Sequence, residues 1–316
     1  MIGAVPETQT RSPTRTAREY PTRSSNAAPD EMCCRSIRLV WPIVDALRQV
    51  DGWPCEHVAV CVTGAVEAAR GDEARRFEWA SVTKLASALA MLVAAEEGLV
   101  DLDEPAGPPG ATFRHLLSHS SGLPFEAGAP ISEPGRRRIY SNYGFDVAAA
   151  LVAERAEMPF ETYFAHVWQG TTLELQGSAG SGASGTLADL RALAHELQHP
   201  TRVAEETLAE ARTVQFAGLV GVVPGFGRQD PNDWGLGLEL RDDKSPHWTG
   251  AANSPQTFGH FGRSGTFLWV DPVAGLALGA LTDLAFGDWA IDAWPRLADA
   301  VLAEVAVSRG QTQGHG

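Results

Sequence analysis

Hydrophobic positions change their spacing several times along this chain, and each change marks an element. Residues 39–50 carry apolar residues at helical intervals and close on Asp51-Gly52, which predicts an amphipathic helix. Residues 57–64 form a short apolar run read as a buried strand, and a second, shorter strand ends in the turn Gly71-Asp72. From Ser81 the residues Val82, Leu85, Ala86, Leu89, Leu92 and Val93 recur at helical spacing as far as Glu97, with Gly98 as the stop. Residues 116–124 read as a Ser/Gly loop. Another loop opens at Pro134-Gly135 and ends at Tyr140-Ser141-Asn142, before a helix from about Phe145 to Ala156. Thr186-Leu187-Ala188-Asp189 has the form of a capping box opening a further helix. Beyond about residue 214 come short glycine-punctuated strands at 234–240, 256–262, 265–270 and 275–282. Pro272 to Gly275 reads as a hairpin turn, and residues 288–306 as a last helix.

This order predicts an α+β fold: an antiparallel sheet flanked by helices, with a mostly helical subdomain inserted between two pieces of the sheet domain. The sheet domain is placed at 36–76 plus 200–308 and the helical subdomain at 77–199. Residues 1–35 and 309–316 are expected to be disordered tails. No internal repeat is visible.

Composition narrows the partners. The 316 residues are 44% hydrophobic with nine tryptophans, enough for a sizeable core. A net charge of −14 argues against nucleic acid and against adsorption to anionic lipid. Cys33, Cys34, Cys55 and Cys61 show neither zinc spacing nor disulfide-scaffold density, which predicts free thiols in a reducing compartment. The first 35 or so residues are rich in Arg, Ser, Thr and Pro and lack the apolar run of a secretory signal. They faintly resemble a transit peptide, against which Glu7, Glu19, Asp30 and Glu31 count; a disordered tail, or a true start at Met32, is the reading preferred. No stretch approaches the length of a membrane span. A cytoplasmic protein is expected, its oligomeric state open.

The candidate chemistry starts from lysine. Only Lys84 and Lys244 occur, the latter in a polar Arg-Asp-Asp-Lys stretch, while the other basic residues are arginine. Lysine can lose its proton when buried and then act as a base, which arginine cannot. In Ser81-Val82-Thr83-Lys84 the serine opens a helix and the lysine lies one turn on, on the same face. The positive end of the helix dipole favours an alkoxide at Ser81 and disfavours a charged ammonium at Lys84. Tyr140-Ser141-Asn142 adds a phenol able to relay a proton and an amide able to hold a substrate carbonyl. Gly259-His260-Phe261-Gly262-Arg263-Ser264-Gly265-Thr266 is a glycine-flanked strand whose N–H groups can bind an oxyanion. Taken singly, each also fits a structural reading: a capping serine, a turn tyrosine, a bulge with a core histidine.

Together, S-x-x-K, Y-x-N and H-x-G form the motif set of the serine β-lactamase and penicillin-binding superfamily, and the chain resembles its class C-like branch, with D-stereospecific peptidases and family VIII carboxylesterases. The likeness spans about residues 36–306. Phe77-Glu78-Trp79-Ala80-Ser81 resembles the nucleophile segment, and Leu116-Leu117-Ser118-His119-Ser120-Ser121-Gly122-Leu123-Pro124 the "LLTHTSGLP" loop. Pro134-Gly135 with Tyr140-Ser141-Asn142-Tyr143-Gly144-Phe145, Trp234-Gly235-Leu236-Gly237-Leu238-Glu239-Leu240, and 259–272 continue the match. The resemblance implies Ser81 as acylated nucleophile, Lys84 as its base partner, Tyr140 as general base and proton shuttle, and Asn142 as a substrate-amide contact. His260 takes the place of the lysine of K-T-G, and the oxyanion hole is formed by the N–H groups of Ser81 and Arg263, beside Gly262.

Three departures matter. Phe261 replaces the threonine of K-T-G, and His260 is less reliably cationic than lysine near pH 7. Both weigh toward esters and against β-lactams and peptidoglycan stems, though Arg263 offers a carboxylate partner if it points inward. Third, the interval from Ser81 to Tyr140 is short for the family, which predicts a trimmed helical subdomain and a more open cleft. His195-Glu196-Leu197-Gln198-His199 matches the zinc-protease pattern, but Pro200 pushes the residue before it out of helix, so this is read as a charged helix end with no metal. No Ser-centred G-x-S-x-G occurs.

The expectation is a cofactor-free serine hydrolase, a carboxylesterase on small acyl esters working through an acyl-enzyme on Ser81. The alternatives are a D-amino-acid peptidase or amidase, a DD-peptidase or weak β-lactamase, and more remotely a non-catalytic ligand-binding homologue or a metallopeptidase. The missing export signal counts against a cell-wall role.

Overall fold

The computed structural model describes residues 43–313. The expected N-terminal tail, Cys33 and Cys34, the start of the first predicted helix and residues 314–316 lie outside the described residues. In chain order the elements are α1 (Ile43–Leu47), β1 (Val58–Gly64), β2 (Ala68–Gly71), β3 (Phe77–Glu78), α2 (Thr83–Glu96), α3 (Phe113–Leu117), α4 (Asn142–Ala156) and α5 (Phe160–Val167). Next come β4 (Glu174–Leu175), β5 (Ala183–Gly185), α6 (Leu187–Gln198), α7 (Glu205–Ala211), β6 (Gly221–Val223) and β7 (Gly227–Gln229). The chain closes with β8 (Glu239–Leu240), β9 (Phe258–Gly262), β10 (Thr266–Asp271), β11 (Leu276–Thr282) and α8 (Asp288–Gln313).

Six strands form one sheet in the order β2-β1-β11-β10-β9-β8, with every pairing antiparallel. The α+β class predicted from the chain is the one observed. Both faces are covered, which explains why β1 reads as an apolar run rather than an alternation. Ala59 and Cys61 of β1 join the core shared with α2 and α6, while Val60 and Val62 join the core shared with α1 and α8. Strand β11 divides its residues the same way, Ala277 and Leu281 against Leu278 and Ala280. Gly279 belongs to the first face, where a Cβ would stand 2.7 Å from Leu190, so glycine lets α6 pack close. Each large side chain buried here contributes about 1.5–3 kcal/mol. Cys55 and Cys61 are free thiols, as expected.

Several boundaries differ from the pattern reading. Helix α4 begins at Asn142, three residues early, because the Ser141 hydroxyl accepts the Gly144 N–H at 2.8 Å and caps it there. The 234–240 run contributes only Glu239–Leu240 to the sheet. Gly237 lies at φ +77°, where a Cβ would meet Ala88, and the backbone turns away from the ladder. The first helix changes to a 3-10 turn over Arg48–Gly52. The last one continues past 306 to Gln313. The capping box at Thr186 and Asp189 is formed as read. Among the described residues, no helix is long and apolar enough to cross a membrane.

Candidate active site

Ser81 follows a turn fixed from two directions. Strand β3 pairs with β5, and the Trp79 N–H bonds the Ala183 carbonyl at 2.9 Å. From the β9–β10 turn, Ser264 donates to the Glu78 carbonyl at 2.7 Å and Thr266 to that of Trp79 at 2.9 Å. Between these anchors Ala80 is held at φ +43°, a left-handed conformation that costs a non-glycine residue about 1–3 kcal/mol. A 3-10 turn, Ala80–Val82, leads into α2 with Ser81 at its centre, at the end of the helix where N–H groups are free.

Lys84 lies beneath Ser81 and is fully buried. Its Nζ stands 3.4 Å from Ser81 Oγ and donates to Asn142 Oδ1 at 2.5 Å and to the Gly180 carbonyl at 2.7 Å. Burial holds the amine well below the usual lysine range, opposed only by the charge of Asp146. A neutral amine has two hydrogens and one lone pair. The two acceptors take the hydrogens, and the lone pair is left for Ser81. Asp146 also fixes the acceptor loop, taking bonds from Ser178 Oγ at 2.8 Å and the Ala179 N–H at 2.9 Å.

The Tyr140 ring packs over Lys84, its centroid 4.6 Å from Nζ. Burial pushes the phenol above its ordinary range, with a hydrogen bond to Ser81 pulling the other way. The phenol oxygen is also 3.3 Å from His260 Nε2. His260 Nδ1 lies 2.7 Å from the Phe261 carbonyl, which fixes a hydrogen on Nδ1 and leaves Nε2 as acceptor for Tyr140. Burial, reinforced by Lys84, pushes His260 down to about 3, so the ring is neutral at pH 7. The position occupied by lysine in K-T-G therefore carries no charge.

Gly262 is needed for contact between β9 and the Ser81 turn: a Cβ there would lie 2.5 Å from the Trp79 carbonyl and 2.4 Å from Thr266 Oγ1. Just beyond it, the Arg263 N–H has no hydrogen-bond partner among the described residues, and its side chain is exposed. Ser81, Tyr140, His260 and Arg263 line one cavity of about 670 Å³, and Lys84 and Asn142 adjoin it through the bonds above. The predicted residues thus converge. Asn142 departs in one respect, because its Oδ1 is committed to Lys84 and only its amide nitrogen is left for a substrate carbonyl.

Three features were not read from the chain. His119, buried at φ +57°, bonds the segment around Tyr140. Lys244, placed in a polar stretch by its sequence, is buried. It donates to Glu239 Oε1 at 2.9 Å and to the carbonyls of Asp233 and Leu240 at 2.8 and 2.6 Å. Glu239 reaches the cavity wall; burial raises its carboxyl, but Lys244 and His247 outweigh this and hold it ionised. The H-E-x-x-H match is structural. Helix α6 ends at Gln198, His199 has left the helix at φ −141°, and Glu196 accepts the N–H groups of Thr201 and Arg202 at 2.8 and 2.6 Å.

The family profile described as Beta-lactamase matches residues 52–169 and 165–302. A crystal structure of a β-lactamase from Mycobacterium bovis is 52% identical, covering 82% of this chain and 99% of its own, with a TM-score of 0.81. Simvastatin synthase from Aspergillus terreus, in a mutant form, is 16% identical over 84% of this chain and 95% of its own, with a TM-score of 0.68. EstCE1, a hydrolase with promiscuous acyltransferase activity, is 19% identical over 82% and 97%, with a TM-score of 0.65. None of the curated proteins matches. The profile covers most of the chain and the Mycobacterium bovis relative is 52% identical over 82% of it, so the chain belongs to the β-lactamase family.

Proposed function

We propose that this protein is a serine hydrolase that cleaves carboxylic esters through an acyl-enzyme on Ser81. The observation that carries the reading is the Lys84 amine, buried and with both hydrogens bonded away from Ser81. Lys84 takes the Ser81 proton as Oγ attacks the ester carbonyl. The N–H groups of Ser81 and Arg263 receive the oxyanion; losing one such donor costs about 2.7–4 kcal/mol. As the tetrahedral intermediate collapses, Tyr140 gives its phenol proton to the departing alkoxide and recovers one from Lys84. Water then enters by the same route in reverse and releases the acid. Tyr140 works here as a relay in its neutral form, because burial opposes a resting tyrosinate.

Neutral His260 and apolar Phe261 favour esters over substrates that present a carboxylate at the K-T-G position. A second reading, β-lactam hydrolysis, is favoured by the description of the Mycobacterium bovis relative. One panel separates them: p-nitrophenyl esters, D-amino-acid anilides and nitrocefin, assayed with the natural protein and with Ser81→Ala. Ester hydrolysis that disappears in Ser81→Ala supports the first reading, and nitrocefin turnover without ester turnover supports the second. Activity on none of them, with no labelling of Ser81 by a serine probe, defeats both.

A further inference from the structure

The mouth of the cavity combines two features that are each unusual on this surface. Phe125, Ile131 and Val222 are 48%, 56% and 58% exposed, and all three line this cavity. Large exposed apolar groups gathered around one concavity mark a binding surface. Arg137 and Arg263 line the same cavity and are exposed, and neither has a carboxylate partner among the described residues. Other arginines of this acidic chain are matched: Arg70 by Asp51, Arg114 by Asp103 and Glu210, Arg228 by Asp230. Arg138 and Arg241 bond backbone carbonyls. The acid of the cavity wall, Glu239, already has Lys244.

We propose that the site takes an amphiphilic ester: a bulky apolar body fills the cavity, and an anionic group, carboxylate or phosphate, is held at the mouth by Arg137 and Arg263. This rests on the esterase reading and narrows its substrate. A volume of about 670 Å³ suits a drug-sized ligand and leaves an acetyl or butyryl group loosely held. Guanidinium groups bind both oxyanions by paired N–H donors, and the apolar rim favours the chain over water. A flat anionic membrane is the less suitable occupant, because the net charge of −14 repels it and the apolar groups surround a hollow.

The test measures binding apart from turnover. Decanoate, decyl phosphate, decanol and decyltrimethylammonium are titrated calorimetrically into full-length Ser81→Ala protein. At least one anion should bind about tenfold tighter than decanol, equivalent to about 1.4 kcal/mol. The cation should bind weakest, and the tighter anion identifies the headgroup. In an Arg137→Ala/Arg263→Ala protein, checked for folding by circular dichroism, that preference should fall below threefold. Equal binding of decanoate, decyl phosphate and decanol, or a preference that survives the double substitution, overturns the proposal. So does Arg-dependent sedimentation with phosphatidylglycerol vesicles in place of binding to the single amphiphiles. Failure of the p-nitrophenyl panel would instead defeat the esterase reading, whatever the amphiphiles do.

Discussion

The imidazole of His119 accepts the backbone N–H of Ser141 through Nδ1 at 3.1 Å. The carbonyl of the same residue accepts the Ile139 N–H at 2.8 Å, so Tyr140 is pinned on both sides by one neighbour. The two rings pack with centroids 4.6 Å apart. His119→Asn can keep an acceptor near the Nδ1 position; His119→Leu leaves the Ser141 N–H buried and unpaired, a cost of about 1–3 kcal/mol. The leucine variant should lose that much stability in urea and about tenfold or more in kcat, with KM within about threefold. The asparagine variant should recover most of kcat. Equal kcat in His119→Leu and the natural protein would remove the clamp from the mechanism.

Lys84 makes a sharper case. An arginine there stays protonated and cannot take a proton from Ser81. Lys84→Arg should lower kcat/KM at least about a thousandfold while the protein still folds. In the natural protein kcat/KM should fall on the acid side as Lys84 gains its proton. Burial depresses that pKa, so the limb lies well below the ordinary lysine range. A profile with no acid limb anywhere below the ordinary lysine range, or an active arginine variant, would exclude Lys84 as base.

His260 gives stability its own pH dependence. The unfolded chain binds a proton near the ordinary value of 6.5, whereas the folded ring refuses one until about 3. Stability should therefore fall as pH drops from 6.5 toward 3 and lose nothing further through this residue below it. Replacing the ring by an untitratable one, His260→Phe, should flatten the slope in that window when urea midpoints are compared pH by pH.

Gly262 tests the close approach of β9. In Gly262→Ala the new methyl must displace the Trp79 carbonyl or Thr266, which moves the nucleophile turn relative to the Arg263 N–H. Overpacking of this kind costs about 1–3 kcal/mol. Acylation should slow by tenfold or more, read as the pre-steady-state burst on a p-nitrophenyl ester.

The H-E-x-x-H segment should behave as structure. EDTA should leave ester hydrolysis unchanged, and so should His199→Ala. Glu196→Ala should lower stability by about 1–3 kcal/mol, because the Thr201 and Arg202 N–H groups would lose their acceptor. EDTA-sensitive activity restored by zinc would reverse this assignment.

Most of the site was legible because its chemistry sits in short contiguous motifs. Ser81 and Lys84 share a helical turn, and Tyr140 and Asn142 flank a cap, so local spacing carries the geometry. The edges of the sheet were legible through glycine and apolar runs. What spacing does not carry is partnership at a distance. Lys244 looked solvated among Arg241, Asp242 and Asp243, and only the return of the chain at Glu239 makes a buried pair of it. His119 was visible as part of a motif, but its bond to Ser141, 22 residues on, needs the loop between them to close. Helix α5 and the hairpin of β6 and β7 were missed because each is too short for its period to stand out.

The turn that presents Ser81 is fastened from the C-terminal part of the chain by Ser264 and Thr266, and β1, paired with β2 on one side, finds its other partner in β11. During synthesis Ser81 therefore leaves the ribosome some 180 residues before the Ser264 and Thr266 hydroxyls that complete its frame. Until Ser264 and Thr266 have emerged, Ala80 is framed only from the β5 side, through the Trp79 bond to Ala183, and Ser81 has no Arg263 N–H to face. Nascent chains and C-terminally clipped fragments should accordingly be inert toward serine probes, so that acyl chemistry begins only once the last strand is laid down.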